Sequence, residues 1–212
     1  MKKFDLKKIL LIVIPIILFA FLALYIQAGY SIRFENWVYA EAVEHMNPFL
    51  TNIIRIITHL GDPIIVTSIT ILLVIIPKTR KKVGYPMAAT VIVSEALNLI
   101  LKEIFARERP NILQLVNETT YSFPSGHAMI NTTVYTMLGI FAIKYIRSKK
   151  IKIPVIIMCI IMPLIISFSR VYLGVHYAGD VLGGMLLGFA VTVFIYALLK
   201  KEEKLLQAKN IS

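Results

Sequence analysis

Three short polar clusters interrupt the long apolar runs of this chain, and their side chains are of the kinds that bind and transfer phosphate. KEIFARERP, at residues 102–110, is rich in cations, and PSGH, at 124–127, places serine, glycine and histidine together. SRVYLGVHYAGD, at 169–180, holds arginine, histidine and a carboxylate. Unpaired charge beside hydrocarbon is costly. These residues therefore require a chemical reason, and the pattern indicates a phosphate-ester site with His176 as nucleophile.

The third cluster carries the nucleophile hypothesis. His176 and Asp180 are four residues apart at the start of an apolar run. On a helix, this carboxylate can accept a hydrogen bond from one imidazole nitrogen and leave the other free to attack. Arg170 precedes the histidine by six residues. A turn at Gly174 would aim its guanidinium group at the same phosphate.

A metal site is the alternative interpretation of His176 and Asp180, because their spacing also suits metal ligands. A metal would need a third ligand nearby, whereas the neighbouring clusters supply cations. Cationic side chains repel a divalent metal and complement a phosphate that carries about two negative charges. We therefore expect neither a metal nor another cofactor.

The second cluster has the pattern of a helix start that binds an anion. Ser125 can cap the helix, Gly126 permits close approach of a ligand, and free amide groups with the positive dipole end attract negative charge. His127 would then face the anion. An ordinary capped helix with an incidental histidine is the alternative, and this tetrapeptide alone fits both interpretations.

The first cluster ends an apolar run on which Glu95, Asn98 and Lys102 share one helical face. That face should point into a helix bundle, with Glu95 as a structural partner of Lys102 or Asn98. Arg109 follows seven residues after the lysine, and Pro110 redirects the chain. Both cations would reach one water-facing mouth, although snorkelling of the two side chains to lipid headgroups is the alternative. We interpret His59 as a satisfied polar residue outside the site.

The elements that position these clusters are membrane helices. The chain is 58% hydrophobic, and its mean hydropathy of +0.76 is too high for a soluble domain. A bilayer core of about 30 Å requires roughly 20 apolar helical residues. The sequence predicts an all-α bundle of six transmembrane helices in a single domain, residues 1–212. The six segments are approximately 9–30, 63–77, 83–105, 126–145, 153–168 and 177–199.

The distribution of basic residues predicts the orientation. The N-terminus, two loops and the C-terminal tail carry four, four, five and four lysines and arginines, which makes 17 on one side and leaves six of the 23 on the other. Basic residues in short loops stay in the cytoplasm. We therefore expect cytoplasmic termini and an external site. The net charge of +11 brackets apolar segments, so it favours anionic lipid rather than nucleic acid as partner. The N-terminal run also resembles a signal peptide, but it is long enough to be a retained anchor.

The three motifs together resemble the signature motifs of the type 2 phosphatidic acid phosphatase superfamily, which also includes vanadium haloperoxidases. All three are complete and in family order, and the resemblance covers the whole six-segment core. It implies a metal-independent phosphatase in which His176 is the nucleophile, Asp180 orients it and His127 is the general acid. It also implies a set of phosphate-binding residues, namely Lys102, Arg109, Ser125, Gly126 and Arg170.

Small bacterial members of that superfamily suggest a lipid phosphate or diphosphate as substrate, in the outer leaflet of the cytoplasmic membrane. Phosphatidylglycerophosphate and undecaprenyl diphosphate are the candidates, and an external site favours the second. Intramembrane charge also marks transporters and scramblases, but here it clusters at one face, without paired broken helices at the midplane. A catalytically inactive lipid-phosphate binder is the remaining alternative, against which the intact His127, His176 and Asp180 argue.

Overall fold

A computed structural model describes residues 6–111 and 113–209, with side chains as far as Glu202. The regular secondary structure of this part of the chain is all helical, with no β-strand. The basic residues Lys2 and Lys3, and the side chains of Lys204 and Lys209, lie outside it. The helices are α1 (Leu6–Gln27), α2 (Ile32–Glu44), α3 (Pro48–Leu60), α4 (Pro63–Ile75), the single turn α5 (Pro77–Thr79), a π-helical turn (Arg80–Gly84), α6 (Tyr85–Phe105), α7 (Gly126–Tyr145), α8 (Lys149–Tyr172) and α9 (Ala178–Lys209).

Each of the six predicted segments overlaps a helix of the structure, and the fourth segment has the same bounds as α7. In the second predicted segment, helical structure begins before the apolar run. Helix α3 precedes α4, and only Gly61 and Asp62 separate the two helices. Asn47 caps α3 by accepting a hydrogen bond from the Leu50 N–H at 2.9 Å. Pro63 then starts α4, a position at which its missing N–H costs nothing. Gly61 and Asp62 therefore interrupt the helical structure of this segment.

Four stretches of the described residues are long and apolar enough to cross a membrane: Leu6–Gln27, Pro48–Ile75, Lys149–Tyr172 and Ala178–Glu202. The remaining long helices, α6 and α7, have 21 and 20 residues. Both helices carry polar side chains on their buried faces. They include Ser94, Asn98 and Lys102 on α6, and Asn131 and Thr133 on α7.

Glycines on α9 fix the start of that helix against the start of α7. A Cβ atom added at Gly184 would lie 2.5 Å from the Ser125 carbonyl oxygen, and one at Gly188 would lie 2.4 Å from that of Met129. Only glycine permits so close an approach of two helices. At the contact, the Ser125 N–H donates to the Asp180 carbonyl at 2.9 Å. Packing thus brings the second and third polar clusters together.

The connection between α6 and α7, residues 106–125, lies over the same end of the bundle. Ala106 takes a left-handed conformation, with φ of 44°, where α6 ends. Phe123 then stacks on Phe19 of α1 and meets Phe105 edge to face, with ring centroids 5.5 and 4.9 Å apart. The Tyr39 hydroxyl of α2 donates to the Leu113 carbonyl at 2.9 Å. These contacts hold the connection against α1, α2 and α6.

Candidate active site

His176 lies in the turn between α8 and α9 and is 2% exposed. Its Nε2 is 3.2 Å from Nη1 of Arg109. Because a guanidinium group can only donate, Nε2 is the acceptor and the ring proton belongs on Nδ1. Nδ1 is 3.5 Å from Oδ2 of Asp180 and has no hydrogen-bond partner among the described residues. That distance is long for a hydrogen bond, although catalytic contacts often tighten in the substrate complex.

Burial keeps the His176 ring neutral. Desolvation lowers the pKa of His176 to about 4, and the positive charges of Arg109 and Arg170 act in the same direction against the opposing effect of Asp180. At neutral pH the ring is therefore unprotonated at Nε2, the form in which an imidazole is a nucleophile.

Asp180 is completely buried, and each of its carboxylate oxygens is held. Oδ2 accepts hydrogen bonds from the Ser122 hydroxyl at 2.8 Å and the Tyr177 N–H at 2.9 Å. Oδ1 accepts one from Arg107 at 2.5 Å. The same guanidinium group reaches Glu35 of α2, with Nη2 2.6 Å from Oε2. The carboxylate that faces His176 is therefore fixed from three directions.

Lys102 and Arg109 both contact the α6–α7 connection at Thr120. The Lys102 ammonium donates to the Thr120 hydroxyl at 2.9 Å, and Arg109 Nε donates to the Thr120 carbonyl at 2.6 Å. Lys102 is only 6% exposed, so the structure does not support its snorkelling to headgroups. The two cations meet, as expected, and Arg109 lies directly against His176.

Arg170 is 1% exposed, and its guanidinium group lies between two partners. Nη1 donates to the Thr58 hydroxyl at 2.9 Å, and Nη2 contacts the Glu118 carboxylate. That carboxylate is also 3.7 Å from Nη2 of Arg109. Although burial alone would raise the pKa of Glu118, the charges of Arg170 and Arg109 lower it below the usual value. An ionised carboxylate therefore lies between two of the predicted phosphate-binding arginines.

Ser125 caps α7 as predicted, accepting a hydrogen bond from the Ala128 N–H at 3.4 Å. Gly126 begins the helix against Asn98 of α6, whose Oδ1 would be 3.0 Å from an added Cβ atom. Asn98 donates to the Pro124 carbonyl at 3.1 Å. The amide of Asn98 therefore positions the PSGH segment, rather than pairing with Glu95 as one interpretation expected.

His127, the second residue of α7, contacts Asp62 in the link between α3 and α4, with Nε2 3.0 Å from Oδ1. Asp62 Oδ2 is 2.8 Å from Nδ1 of His59. His59 is thus a satisfied polar residue, as the sequence indicated. The sequence reasoning missed several residues that contact the predicted site, because each lies outside the three motifs or at an unassigned position within one. They are Glu35, Thr58, Asp62, Arg107, Glu118, Thr120 and Ser122.

The described residues contain no cluster of three or more His, Cys, Asp and Glu side chains that could hold a metal ion. Guanidinium groups surround the His176–Asp180 pair instead. A buried neutral imidazole, an anchored carboxylate and converging cations together form an arrangement suited to attack on a phosphate group.

Residues 84–204 match the family model described as the PAP2 superfamily, which covers more than half of the chain. The chain belongs to this superfamily. The family inferred from the three motifs is therefore confirmed. The chain is therefore a lipid phosphatase, a hydrolase of phosphate esters, and it has several apolar helices of spanning length.

Two relatives and one solved structure show how far the similarity extends. Phosphatidylglycerophosphatase B of Bacillus subtilis is 35% identical over an alignment 150 residues long, which covers 69% of this chain and 74% of that protein. Undecaprenyl-diphosphatase of Sulfolobus acidocaldarius is 27% identical over an alignment 213 residues long, which covers 92% of this chain and 97% of the relative. The crystal structure of a transmembrane PAP2 type phosphatidylglycerolphosphate phosphatase from Bacillus subtilis superposes with a TM-score of 0.83 and 30% identity, covering 91% and 97% of the two chains.

Proposed function

We propose that residues 1–212 form a single six-span domain that hydrolyses lipid phosphates or diphosphates at the external face of a bacterial cytoplasmic membrane, through a phosphohistidine intermediate. The observation that carries the proposal is the buried His176 ring, whose Nε2 accepts from Arg109 while Nδ1 faces Asp180. This ring is neutral, oriented and adjacent to a cation that can hold a phosphate.

In the first step, Arg109 moves its hydrogen bond from Nε2 of His176 to a phosphate oxygen. The freed Nε2 lone pair attacks phosphorus, and the bond from phosphorus to the lipid oxygen breaks. Protonated His127 gives its proton to that leaving oxygen, so the lipid departs as an alcohol or, from a diphosphate, as the monophosphate. The phosphorylated ring is cationic, and Asp180 stabilises it through the Nδ1 proton. Lys102, Arg109 and Arg170, with the hydroxyl group of Ser125 and the amide group of Gly126, hold the phosphate oxygens.

In the second step, water attacks the phosphohistidine and the phosphorus–nitrogen bond breaks. His127, now neutral, takes the proton from the water, which restores its protonated form and leaves His176 neutral again. Inorganic phosphate is the product. The same residue therefore acts as acid and then as base, and the cycle requires no metal.

Phosphatidylglycerophosphate and undecaprenyl diphosphate are the proposed substrates, since relatives named for both are similar to this chain. The 17 basic residues on one side support cytoplasmic termini and an external site. The proposed site lies at helix ends, where a headgroup can approach sideways while its chains remain in hydrocarbon. Of these two lipids, undecaprenyl diphosphate fits an external site better, because the recycling of this lipid releases the diphosphate at the external face.

The purified protein should release phosphate from both lipids and act far more weakly on short soluble phosphate esters. Apolar chains concentrate a substrate in the membrane or micelle, by about 0.8 kcal/mol per buried CH₂ group. The measurement is kcat/KM for matched lipid and soluble substrates in one detergent, corrected for micellar concentration. Equal efficiency on a soluble ester would contradict lateral access.

The same assay tests the metal-free mechanism. Activity should persist in a strong chelator, and vanadate should inhibit, because it can adopt the trigonal-bipyramidal geometry of the transferring phosphoryl group. Loss of activity in chelator with recovery in Mg²⁺ would overturn the mechanism.

Thiol labelling in intact cells tests the orientation. In a Cys159→Ala background, Asn117→Cys should react with a membrane-impermeant reagent, and Lys149→Cys should react only after the cells are opened. Both positions are exposed in the structure, so the side of the membrane decides the result. The reverse labelling pattern would place the site in the cytoplasm.

A further inference from the structure

The Asp62 carboxylate contacts two histidines, although Asp62 belongs to none of the three motifs. Its Oδ1 is 3.0 Å from Nε2 of His127, and its Oδ2 is 2.8 Å from Nδ1 of His59. An ionised carboxylate has no proton to donate, so it can only accept hydrogen bonds. Nε2 of His127 and Nδ1 of His59 are therefore the donors. Since Nε2 of His127 carries a proton directed at Asp62, the other ring nitrogen, Nδ1, is the one available for proton transfer.

Packing holds the Gly61–Asp62 link against α7 at the level of His127. Asn131, one turn after the histidine, donates 2.8 Å hydrogen bonds to the carbonyls of both Gly61 and His127. A Cβ atom added at Gly61 would lie 2.7 Å from Nδ2 of Asn131 and 2.5 Å from Cγ2 of Ile166 on α8. Two helices therefore enclose the link, and the Asp62–His127 contact belongs to a packed interface.

Three charged groups surround the His127 ring. The charges of Arg170 on α8, Glu118 in the α6–α7 connection and Asp62 in the α3–α4 link act on it. Burial and the arginine disfavour a positive ring, whereas the two carboxylates favour it. Of the two carboxylates, Asp62 is the one hydrogen-bonded to the ring. It therefore both orients the imidazole and compensates its positive charge.

We propose that Asp62 is the positioning residue of His127, so that the site contains a second histidine–carboxylate pair beside His176 and Asp180. This inference rests on the proposed function, in which His127 gives a proton to the leaving oxygen and takes one from water. Asp62 holds the Nε2–H group and directs Nδ1 toward the reacting oxygen. The exposed His59 donates to the other carboxylate oxygen of Asp62 and takes no part in the proposed reaction.

Asp62→Asn tests this role, with His59→Gln as the matched control, because the control removes the other partner of the same carboxylate. In Asp62→Asn, kcat should fall about tenfold to a hundredfold, which is less than most of the roughly 10²–10⁴-fold that a general acid contributes, because the amide retains partial orientation. KM should stay within about threefold. The alkaline limb of the kcat profile should move to lower pH, because the protonated ring loses a compensating charge. His59→Gln should keep kcat within about threefold.

A purely structural role of Asp62 would reduce the amount of folded protein without moving the pH profile. The second measurement is NMR titration of the ring of His127, identified among the four histidines by His127→Gln. In Asp62→Asn, its titration should move to lower pH. An unchanged titration, or an unchanged pH profile with kcat within about threefold of the parent, would overturn the Asp62 assignment alone. Absence of phosphate release by the parent would instead overturn the proposed function, and the catalytic role of Asp62 with it.

Discussion

His176→Ala is expected to lower phosphate release by at least about 10⁴-fold, because it removes the group that forms the covalent bond. In serine proteases, removing any triad member leaves only the catalysis due to binding and electrostatic stabilisation. The same remainder should persist here, since Arg109 and Arg170 stay in place. The variant should also fail to retain covalent phosphate when denatured during turnover. The measurement is initial rate with lipid substrate in detergent.

A matched control is available in His45, a histidine on α2 whose side chain is 68% exposed and which does not contact the site residues described here. His45→Ala should retain the activity of the parent. Near-parental phosphate release by a folded His176→Ala protein would exclude the phosphohistidine mechanism, even if the protein remained a lipid phosphatase.

Asp180→Asn should lower kcat by about 10²–10⁴-fold while the protein stays folded. The amide is isosteric and can still accept the hydrogen bonds of Ser122 and Tyr177, but it cannot stabilise the cationic ring of phosphorylated His176. In serine proteases, the corresponding Asp→Asn change costs about 10⁴-fold. KM should change little, because Asp180 contacts the nucleophile rather than the phosphate. Measuring kcat and KM separately, with circular dichroism for folding, tests this expectation.

Glu35→Gln provides the control for Asp180→Asn. Both changes remove a carboxylate that pairs with Arg107, but Glu35 does not touch His176. If the two variants lost equal activity, the effect of Asp180 would arise through Arg107 and not through the imidazole. A much smaller loss in Glu35→Gln is the expected result.

The sequence predicted those parts of the molecule that depend on local spacing. The lengths of the apolar runs predicted the approximate positions of the long helices. Helix α7 has the same bounds as its predicted segment, because Ser125 caps its start and the apolar run ends at Tyr145. The interval of four residues between His176 and Asp180 placed a carboxylate next to an imidazole. Both are properties of one helix or of its end, which the order of residues determines directly.

Contacts between distant segments could not be predicted in the same way. Asp62 is 65 residues from His127, and Glu35 is 72 residues from Arg107. Such pairs form only after helix packing sets the distance between elements, and periodicity carries no information about which faces meet. The burial of Lys102 could not be predicted either. The sequence fits both a lysine that reaches a lipid headgroup and one that donates to the Thr120 hydroxyl, and only the tertiary structure distinguishes the two.

In the proposed site, Glu118 makes phosphate binding an exchange of anions. Its carboxylate already lies between Arg109 and Arg170, so a lipid phosphate that uses these guanidinium groups must displace it. Part of the attraction is thereby cancelled, and the affinity for substrate and for inorganic phosphate is a difference between two competing anions. The return of Glu118 also favours departure of the product, so an internal competitor helps to keep the enzyme from being trapped by its own phosphate.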